Sequence, residues 1–412
     1  MSTPARPRVL MLTPWAPYPY DGGSKRIHSL CRMLGDRFRF SLLTFQSKAS
    51  GIAEIAEDLR REHAELRPVF ENIHWVERPA GPGPAVFDGL ELPDDARRFY
   101  SAAMAEKLRA LVDAGEADIV HAEFELMAAY GRGFSGAAKV LTQHDMGGAS
   151  FFGSYFREMS GWGKLARVPE WRRRVRFAAA TGADYDRVVV TTEPDRRALR
   201  RLSARATVSA IATGVDLDYF RRIEPPGPGV RLVFLGHYPH FPNEDAALHL
   251  LRDIFPRVRK REPRAELILA GSDPTEVLKA AAENVAGVRV TGTVPDVRPY
   301  LSDATVFVAP VRLGRGIKGK ILEAFAMGVP VVASSRAASG LDAEAGRDLL
   351  VADGAARFAD AVLRLVQSET LRLELGENGR RAALRSYDWR TLAARLGDLY
   401  DELLRPAGAP AR

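Results

Sequence analysis

The chain has 412 residues, a formal net charge of +7 and one cysteine, Cys31, with 46% hydrophobic and 27% charged side chains. This composition excludes disorder and an internal disulfide, points to a reducing, cytoplasmic compartment, and contains no apolar stretch long enough to cross a bilayer. The length suits two domains of about 200 residues each; the excess positive charge asks for an anionic partner, and because the arginines are spread rather than gathered into a basic, aromatic module, nucleic acid is not expected to be that partner.

RVLMLT (8–13) reads as the first strand. Basic residues before it faintly imitate a signal peptide, but the apolar run is short and lacks a small-residue cleavage site. A turn-rich loop, PWAPYPYDGGSK, then leads into a helical pattern carrying Ile27, Leu30, Cys31 and Leu34. Strand, glycine loop and helix in that order open a doubly wound sheet. Further strands are predicted at 38–45, 73–79, 117–124 and 138–145, with a helix through Ile52, Ile55 and Leu59 and a Pro/Gly-rich loop, AGPGPAVFDGLELP, between them. The strands ADIVHAEF and AKVLTQHD end in His121, Glu123 and His144. Ligands of open α/β sheets sit beyond the carboxyl ends of strands, so these ends are where chemistry is expected.

Residues 151–182 break the rhythm by mixing six aromatic residues, from Phe151 to Trp171, with arginines such as Arg157, Arg172, Arg173 and Arg174. Two readings stay open: an amphipathic segment lying on an anionic membrane surface, or a surface helix with a solvated arginine face. Strands at 186–193 and 208–216 complete the first half, and 221–230 (RRIEPPGPGV) reads as a linker. Alternation then restarts, with strands at 231–236, 265–271, 288–294, 305–311 and 329–334 and helical patterns between them. The spacing implies right-handed crossovers and a second parallel sheet. The expected fold is α/β, with two Rossmann-like domains facing a central cleft: residues 1–220, residues 221–390, and a final helix from 391 whose stripe at Leu392, Leu396, Leu399 and Leu403 returns to the first domain.

Residues 314–334, GRGIKGKILEAFAMGVPVVAS, place charge where a helix by itself does not want it. Arg315, Lys318 and Lys320 precede or open the helix, although a helix N-terminus carries partial positive charge and unpaired N–H groups. Close-approaching glycine backbone, N–H groups and lysines are the ingredients of a phosphate site; the alternative is lysines reaching into water from a fraying helix end.

TGVDLDYF (213–220), the strand ending in Gly236, LAGS (269–272), VTGTVPDVRPYLSDATVFVAPVR (290–312), the block from Lys318 to Ala333 and SYDW near the C-terminus follow a recognisable order. In this order the chain resembles the retaining, nucleotide-sugar-dependent glycosyltransferases called group 1, or glycosyltransferase family 4, over nearly its whole length. The resemblance implies the B-type glycosyltransferase fold, with the donor held mainly by the second domain. Glu323 would then accept hydrogen bonds from ribose hydroxyls. Backbone N–H groups around Gly316 and Ile317, with Lys318, would hold the diphosphate, and Gly236 with the backbone near Thr293 and Val294 would border the nucleotide. On the acceptor side, Gly22 and Gly23 match the family's paired glycines; a tight turn needing permissive backbone explains them equally well. Relatives place a polar residue at the end of the 117–124 strand near the anomeric carbon, a position that His121 or Glu123 fills here, with His144 as a second candidate.

Three departures from the family pattern stand out. Arg315 occupies the place of a sugar-binding glutamate, HYPHFPNED replaces an arginine and lysine after Gly236, and Glu123 stands where the family commonly has histidine. Arg312, Arg315, Lys318 or Lys320 would compensate for the lost cations. The implied reaction moves a sugar from a nucleoside diphosphate sugar to a glycan or lipid-linked acceptor with retention. Attack is from the front face, and the departing phosphate oxygen helps take the acceptor proton, without an enzyme nucleophile, metal or other cofactor. The triplets Asp184/Asp186 and Asp216/Asp218 recur at strand and loop boundaries, which account for them. A nucleotide-sugar epimerase on the same fold, and a non-catalytic nucleotide-sugar-binding protein, are the rival expectations.

Overall fold

A computed structural model describes residues 5–19, 22–46, 60–144, 168–223, 227–314 and 316–405. The helix expected through Ile52, Ile55 and Leu59, the segment 151–167 and Arg315 lie outside the described residues. The chain divides into two units, Met1–Ala212 with Arg390–Arg412, and Thr213–Trp389.

In the first unit the strands are β1 (Arg8–Thr13), β2 (Arg39–Phe45), β3 (Asn72–Val76), the short pair β4 (Val86–Phe87) and β5 (Leu90–Glu91), then β6 (Ile119–Glu123), β7 (Ala138–Gln143), β8 (Arg187–Val190) and β9 (Val208–Ala210). Their apolar runs are continuous rather than alternating because helices cover both sheet faces: β6 is buried at every residue and β1 at all but its first. All but β4 and β5 form one parallel sheet in the order β3-β2-β1-β6-β7-β8-β9. The order reverses between β1 and β6, so the ends of these strands, Thr13 and Glu123, flank the crevice where an open sheet binds its ligand.

The Pro/Gly-rich loop is not structureless. Val86–Phe87 and Leu90–Glu91 pair antiparallel around Asp88 (φ 47°) and Gly89 (φ 71°). Two consecutive left-handed residues make the hairpin turn that Asp-Gly favours.

The helix Val168–Asp184 carries the described part of the basic, aromatic segment. Phe177, Ala178, Thr181 and Gly182 are buried. Arg173 pairs with Glu170 and Asp94, and Arg174 with Glu170 and Asp95. For these residues the surface-helix reading is the better one, since their arginines are engaged by carboxylates of their own unit.

In the second unit, β10 (Val230–His237), β11 (Ala265–Ser272), β12 (Val288–Val290), β13 (Val306–Ala309), β14 (Val331–Ala333) and β15 (Leu350–Val351) form a parallel sheet ordered β12-β11-β10-β13-β14-β15. Numbered within the unit this is 3-2-1-4-5-6, the doubly wound order, with its switch point between β10 and β13. The sequence pattern misses β15, whose two residues are too few to show periodicity.

Residues 213–220 belong with this second unit rather than the first. Val215 N–H donates to the Tyr387 carbonyl at 2.8 Å, and a Cβ on Gly214 would stand 2.7 Å from the Trp389 ring. The helix Trp389–Leu404 buries Leu392, Leu396 and Leu399, while Leu403 is only partly covered. From Arg390 onward it counts with the first unit, where Asp398 and Asp401 receive hydrogen bonds from Arg37 at 3.0 and 2.8 Å. No helix among the described residues is long and apolar enough to cross a membrane.

Candidate active site

At the carboxyl ends of β6 and β7 three of the expected residues meet. Glu123 is 1% exposed; its Oε2 lies 2.6 Å from His144 Nε2, and its Oε1 lies 3.5 Å from His121 Nε2. Behind them the fully buried Arg26 brings Nη1 to 3.6 Å from Glu123 Oε1 and donates from Nη2 to the Ile211 carbonyl at 3.2 Å. Burial alone would raise the Glu123 pKa, but His121, the hydrogen bond from His144 and Arg26 outweigh it and hold the carboxyl below its usual range. Burial likewise lowers the Arg26 pKa, against the attraction of Glu123. Nε and Nη1 of Arg26 and Nε2 of Gln143 have no hydrogen-bond partner among the described residues. Buried donors left unmet cost about 1–3 kcal/mol each, so this polar cluster is not there for stability.

His121 is structural in its surroundings. Its Nδ1 is 2.5 Å from the Tyr400 hydroxyl and its Nε2 is 2.7 Å from Thr142 Oγ1, which ties β6 to the C-terminal helix. Burial pushes its pKa down to about 4, only partly opposed by Glu123. His144 is the member of the cluster that reaches solvent, with 15% of its side chain exposed.

Phe124, directly after Glu123, has φ 71° and ψ 143°. A non-glycine residue in that region stores about 1–3 kcal/mol of strain, of the kind found at functional sites. Its ring stacks on His144 at 4.0 Å and 14°, and Trp15 packs against it at 4.8 Å. Gly23 makes this possible: a Cβ there would lie 2.7 Å from Phe124 Cζ. Its neighbour Gly22 has open space where a Cβ would stand. Of the paired glycines, Gly23 is thus fixed by the Phe124 ring and Gly22 by no side-chain contact among the described residues.

In the second unit the described donor candidates lie at or beyond the carboxyl ends of the strands: Gly236 on β10, residues 316–318 after β13, and Thr293 and Val294 after β12. β10 and β11 end in register at His237 and Ser272, one residue beyond the Gly236↔Gly271 pair. Past Gly236, Asn243 Nδ2 donates to the His237 carbonyl at 2.8 Å, and His237 Nδ1 lies 2.8 Å from Ser272 Oγ. After β13, Gly314 (φ 79°) and Gly316 (φ 70°) carry the loop to the helix Gly319–Ala326, whose first turn has no acidic residue. Lys318 is the N-cap and donates from Nζ to the Gly316 carbonyl at 3.2 Å. Gly316, Ile317, Lys318 and Glu323 are all partly exposed. Thr293 and Val294 follow β12, and Thr293 Oγ1 accepts from the Asp273 N–H at 3.2 Å, placing that loop beside the end of β11.

Two of the cations offered as replacements are committed elsewhere. Arg312 forms a two-pronged pair with Asp245 at 2.6 and 3.1 Å. Lys320 donates to the Leu235 carbonyl at 2.5 Å and to Asn243 Oδ1 at 2.7 Å, above the Phe234 ring. It clamps the β10 loop to the helix start. Burial pushes its pKa down to about 7, opposed by Glu323 and reinforced by Lys318.

Three of the four Asp-x-Asp carboxylates are met by local partners. Asp184 pairs with Arg132 at 2.6 Å, Asp186 accepts from the Lys139 N–H, and Asp216 accepts from the N–H groups of Asp218 and Tyr219. No three His, Cys, Asp or Glu side chains among the described residues group as metal ligands would.

Sequence reasoning missed Arg26, Phe124 and Tyr400. Arg26 left a trace: with Leu30 and Leu34 it stands at i, i+4 and i+8 on the apolar face of its helix, where a solvated arginine does not belong.

Two family models match the chain, "Glycosyltransferase Family 4" over residues 20–219 and "Glycosyl transferases group 1" over residues 229–368. A phosphatidyl-myo-inositol mannosyltransferase of Mycobacterium tuberculosis is 31% identical over 216 residues, covering 49% of this chain and 55% of the relative. A GDP-mannose-dependent alpha-(1-6)-phosphatidylinositol monomannoside mannosyltransferase of the same organism is 29% identical over 219 residues, covering 47% of this chain and 55% of the relative. The chain thus spans about half the length of the curated relatives it matches. Among solved structures, sucrose-phosphate synthase from Thermosynechococcus elongatus superposes with a TM-score of 0.70 at 18% identity, over 96% of this chain and 99% of that one. Anabaena Alr3699/HepE in complex with UDP and glucose gives 0.67 at 13% identity, over 96% and 100%. At these identities the likeness establishes the fold, the B-type architecture of two doubly wound sheets.

Proposed function

We propose that this chain, which belongs to the glycosyltransferases of group 1 and family 4, transfers a sugar from a nucleoside diphosphate sugar to an acceptor hydroxyl with retention at the anomeric carbon. The observation that carries the reading is the start of helix Gly319–Ala326 at the second sheet's switch point. Two left-handed glycines precede it, Lys318 stands at its N-cap position, and Lys320 lies in its first turn, which contains no acidic residue. Such a terminus favours an anion, and a diphosphate supplies one. In this reading the backbone of Gly316 and Ile317 and the Lys318 ammonium take the charge that develops on the leaving diphosphate, and Glu323 receives the ribose hydroxyls. Gly236, Thr293 and Val294 border the nucleotide. No metal is needed, because the charge is met by protein groups. The names of the relatives, mannosyltransferases of phosphatidylinositol, support a glycan or lipid-linked acceptor and a place in glycolipid or polysaccharide biosynthesis. Work on such an acceptor suits a cytoplasmic protein at an anionic membrane face.

Calorimetry with UDP-, GDP- and ADP-sugars is expected to show binding of at least one, with slow hydrolysis of the bound donor and faster turnover when an acceptor is supplied. Lys318→Ala should weaken that binding about 10- to 100-fold, the worth of one charge-assisted hydrogen bond. An epimerised free sugar nucleotide as product would replace the transferase reading, and absence of binding to every donor would remove it. The lowered pKa of Lys320 adds a sign. A diphosphate beside it favours the ammonium, so above about pH 7 binding should take up protons, which is read from the buffer dependence of the binding enthalpy.

A further inference from the structure

The carboxyl edge of the first sheet carries a run of aromatic rings. Phe45 ends β2, Trp15 stands two residues beyond β1, and Phe124 follows β6. Phe99, just after the helix Asp94–Arg98, links them: its ring lies 6.4 Å from that of Phe45 and 6.0 Å from that of Trp15, which in turn lies 4.8 Å from Phe124. The run passes from a buried end to an open one. Phe45 is buried, Phe99 and Phe124 are half-buried, and Trp15 is 38% exposed. An indole left open forgoes more apolar burial than almost any other side chain, so its exposure asks for a cause. Trp15 is not loose. Its Nε1–H donates to Oγ of the fully buried Ser24 at 3.2 Å, and the Phe99 ring meets it edge-on at 66°. Phe124, which packs against it, is the residue held at φ 71°, so this ring is kept in place against backbone strain. A guanidinium borders the same run: Arg78, two residues beyond β3, is exposed and lies 4.7 Å over the Phe99 ring. A fixed, open indole beside hydrogen-bond donors suits a sugar ring. One face of a pyranose or cyclitol presents C–H groups to an aromatic surface, while its rim of hydroxyls takes polar hydrogen bonds. An acyl chain has nothing to offer the guanidinium and would strip water from it.

Resting on the transferase reading above, we propose that Trp15 is the stacking platform for a sugar or cyclitol ring of the acceptor, with Phe99 and Phe124 fixing its plane and Arg78 donating to the ring's hydroxyls. All four residues belong to the first unit. The class of acceptor follows from the platform. It is a glycan, or a lipid with a glycosyl or cyclitol headgroup, recognised by its ring rather than by its chain.

Indole N–H signals of the isotope-labelled full chain test this without turnover. The chain has five tryptophans, and the signal lost in Trp15→Phe identifies Trp15. Methyl α-D-mannopyranoside or myo-inositol, titrated to about 100 mM to reach a weak single-ring site, should shift that signal and leave the signal of the buried Trp389 in place. Hexanol, standing in for an acyl chain, should not shift it. Arg78→Ala should weaken the sugar response at least about threefold. In transfer assays, Trp15→Leu keeps apolar bulk but loses the ring, and it should raise the acceptor KM at least about 10-fold while the donor KM stays within about twofold. Trp15→Phe should recover most of that loss. A Trp15 signal that answers hexanol and neither sugar makes the platform a lipid contact and overturns the proposal. A signal that answers no probe overturns it too, as does a folded Trp15→Leu whose acceptor KM stays within about twofold of the wild type. The transferase reading fails separately: a chain that shows the sugar response but transfers to no acceptor keeps the carbohydrate platform and loses the reaction.

Discussion

Replacing Gly271 with alanine is expected to remove about 4 kcal/mol or more from the stability of the second unit and to abolish donor binding. The new Cβ would stand 1.8 Å from the carbonyl oxygen of Gly236, and Gly271 holds φ at 140°, which an L side chain rarely adopts. Both atoms in conflict are backbone, so no rotamer change relieves the overlap. Overpacking costs about 1–3 kcal/mol where side chains can yield, and a strained φ adds about 1–3 kcal/mol. The only escape is to part β10 from β11, which breaks their register from Gly236↔Gly271 to His237↔Ser272. That register also places the loop holding Asn243, and through Asn243 the Lys320 ammonium. Stability and binding should therefore fail together, as seen by scanning calorimetry and by nucleotide titration of the same sample. A variant melting within about 2 °C of the wild type would show that the strand ends can separate without cost.

Most of the architecture was legible because parallel strands covered on both faces are uninterrupted apolar runs. RVLMLT, AELILAG and TVFVAPV each fall on a strand, with ends displaced by a residue or two. What escaped was set by partners distant in sequence. Nothing local to 213–220 says that its backbone hydrogen-bonds at Tyr387 rather than continuing the first unit. The turn at Asp88 and Gly89 was legible in principle, since Asp-Gly between apolar residues is a hairpin signal, but two-residue strands are too short for their alternation to register.

The site was legible as residue types but not as roles. His121, Glu123 and His144 all announce themselves as ionisable groups at strand ends, and only the distances separate them. His121 is closed off by a tyrosine 279 positions away, and Glu123 is backed by an arginine from the first helix. His144 alone of the three reaches solvent appreciably. In the second unit the resemblance points to Lys318 and Glu323, whereas the clamp from Lys320 to Leu235 and Asn243 depends on which lysine the helix geometry turns toward β10.

Acidification from neutrality is expected to weaken the first unit through His121 before its carboxylates are touched. The pKa of this fully buried imidazole falls from the ordinary 6.5 to about 4, burial being the main cause. The unfolded chain therefore binds a proton at His121 in a range where the folded chain does not. A depressed folded pKa contributes stability that is fully present above the unfolded value and is lost as pH falls toward the folded one. The window thus opens near pH 6.5 and closes near pH 4. Each tenfold change in proton affinity is worth about 1.4 kcal/mol, so the total loss is about 3 kcal/mol, and about 2 kcal/mol of it is gone by about pH 5. Glu123, also held below its ordinary range, acts in the same direction, but its contribution is lost only at lower pH. His121→Gln separates the two, since an amide keeps polar contact with Tyr400 and Thr142 without titrating. Denaturant unfolding followed between pH 7 and pH 5 should show the wild type losing about 2 kcal/mol more than this variant. Tyr400→Phe, which strands one nitrogen of the buried ring, should instead lower stability by about 1–3 kcal/mol at both pH values. Parallel pH curves for wild type and His121→Gln would mean that His121 binds protons equally in the folded and unfolded chain, and the account of it as a neutral strut between β6 and the C-terminal helix would fail.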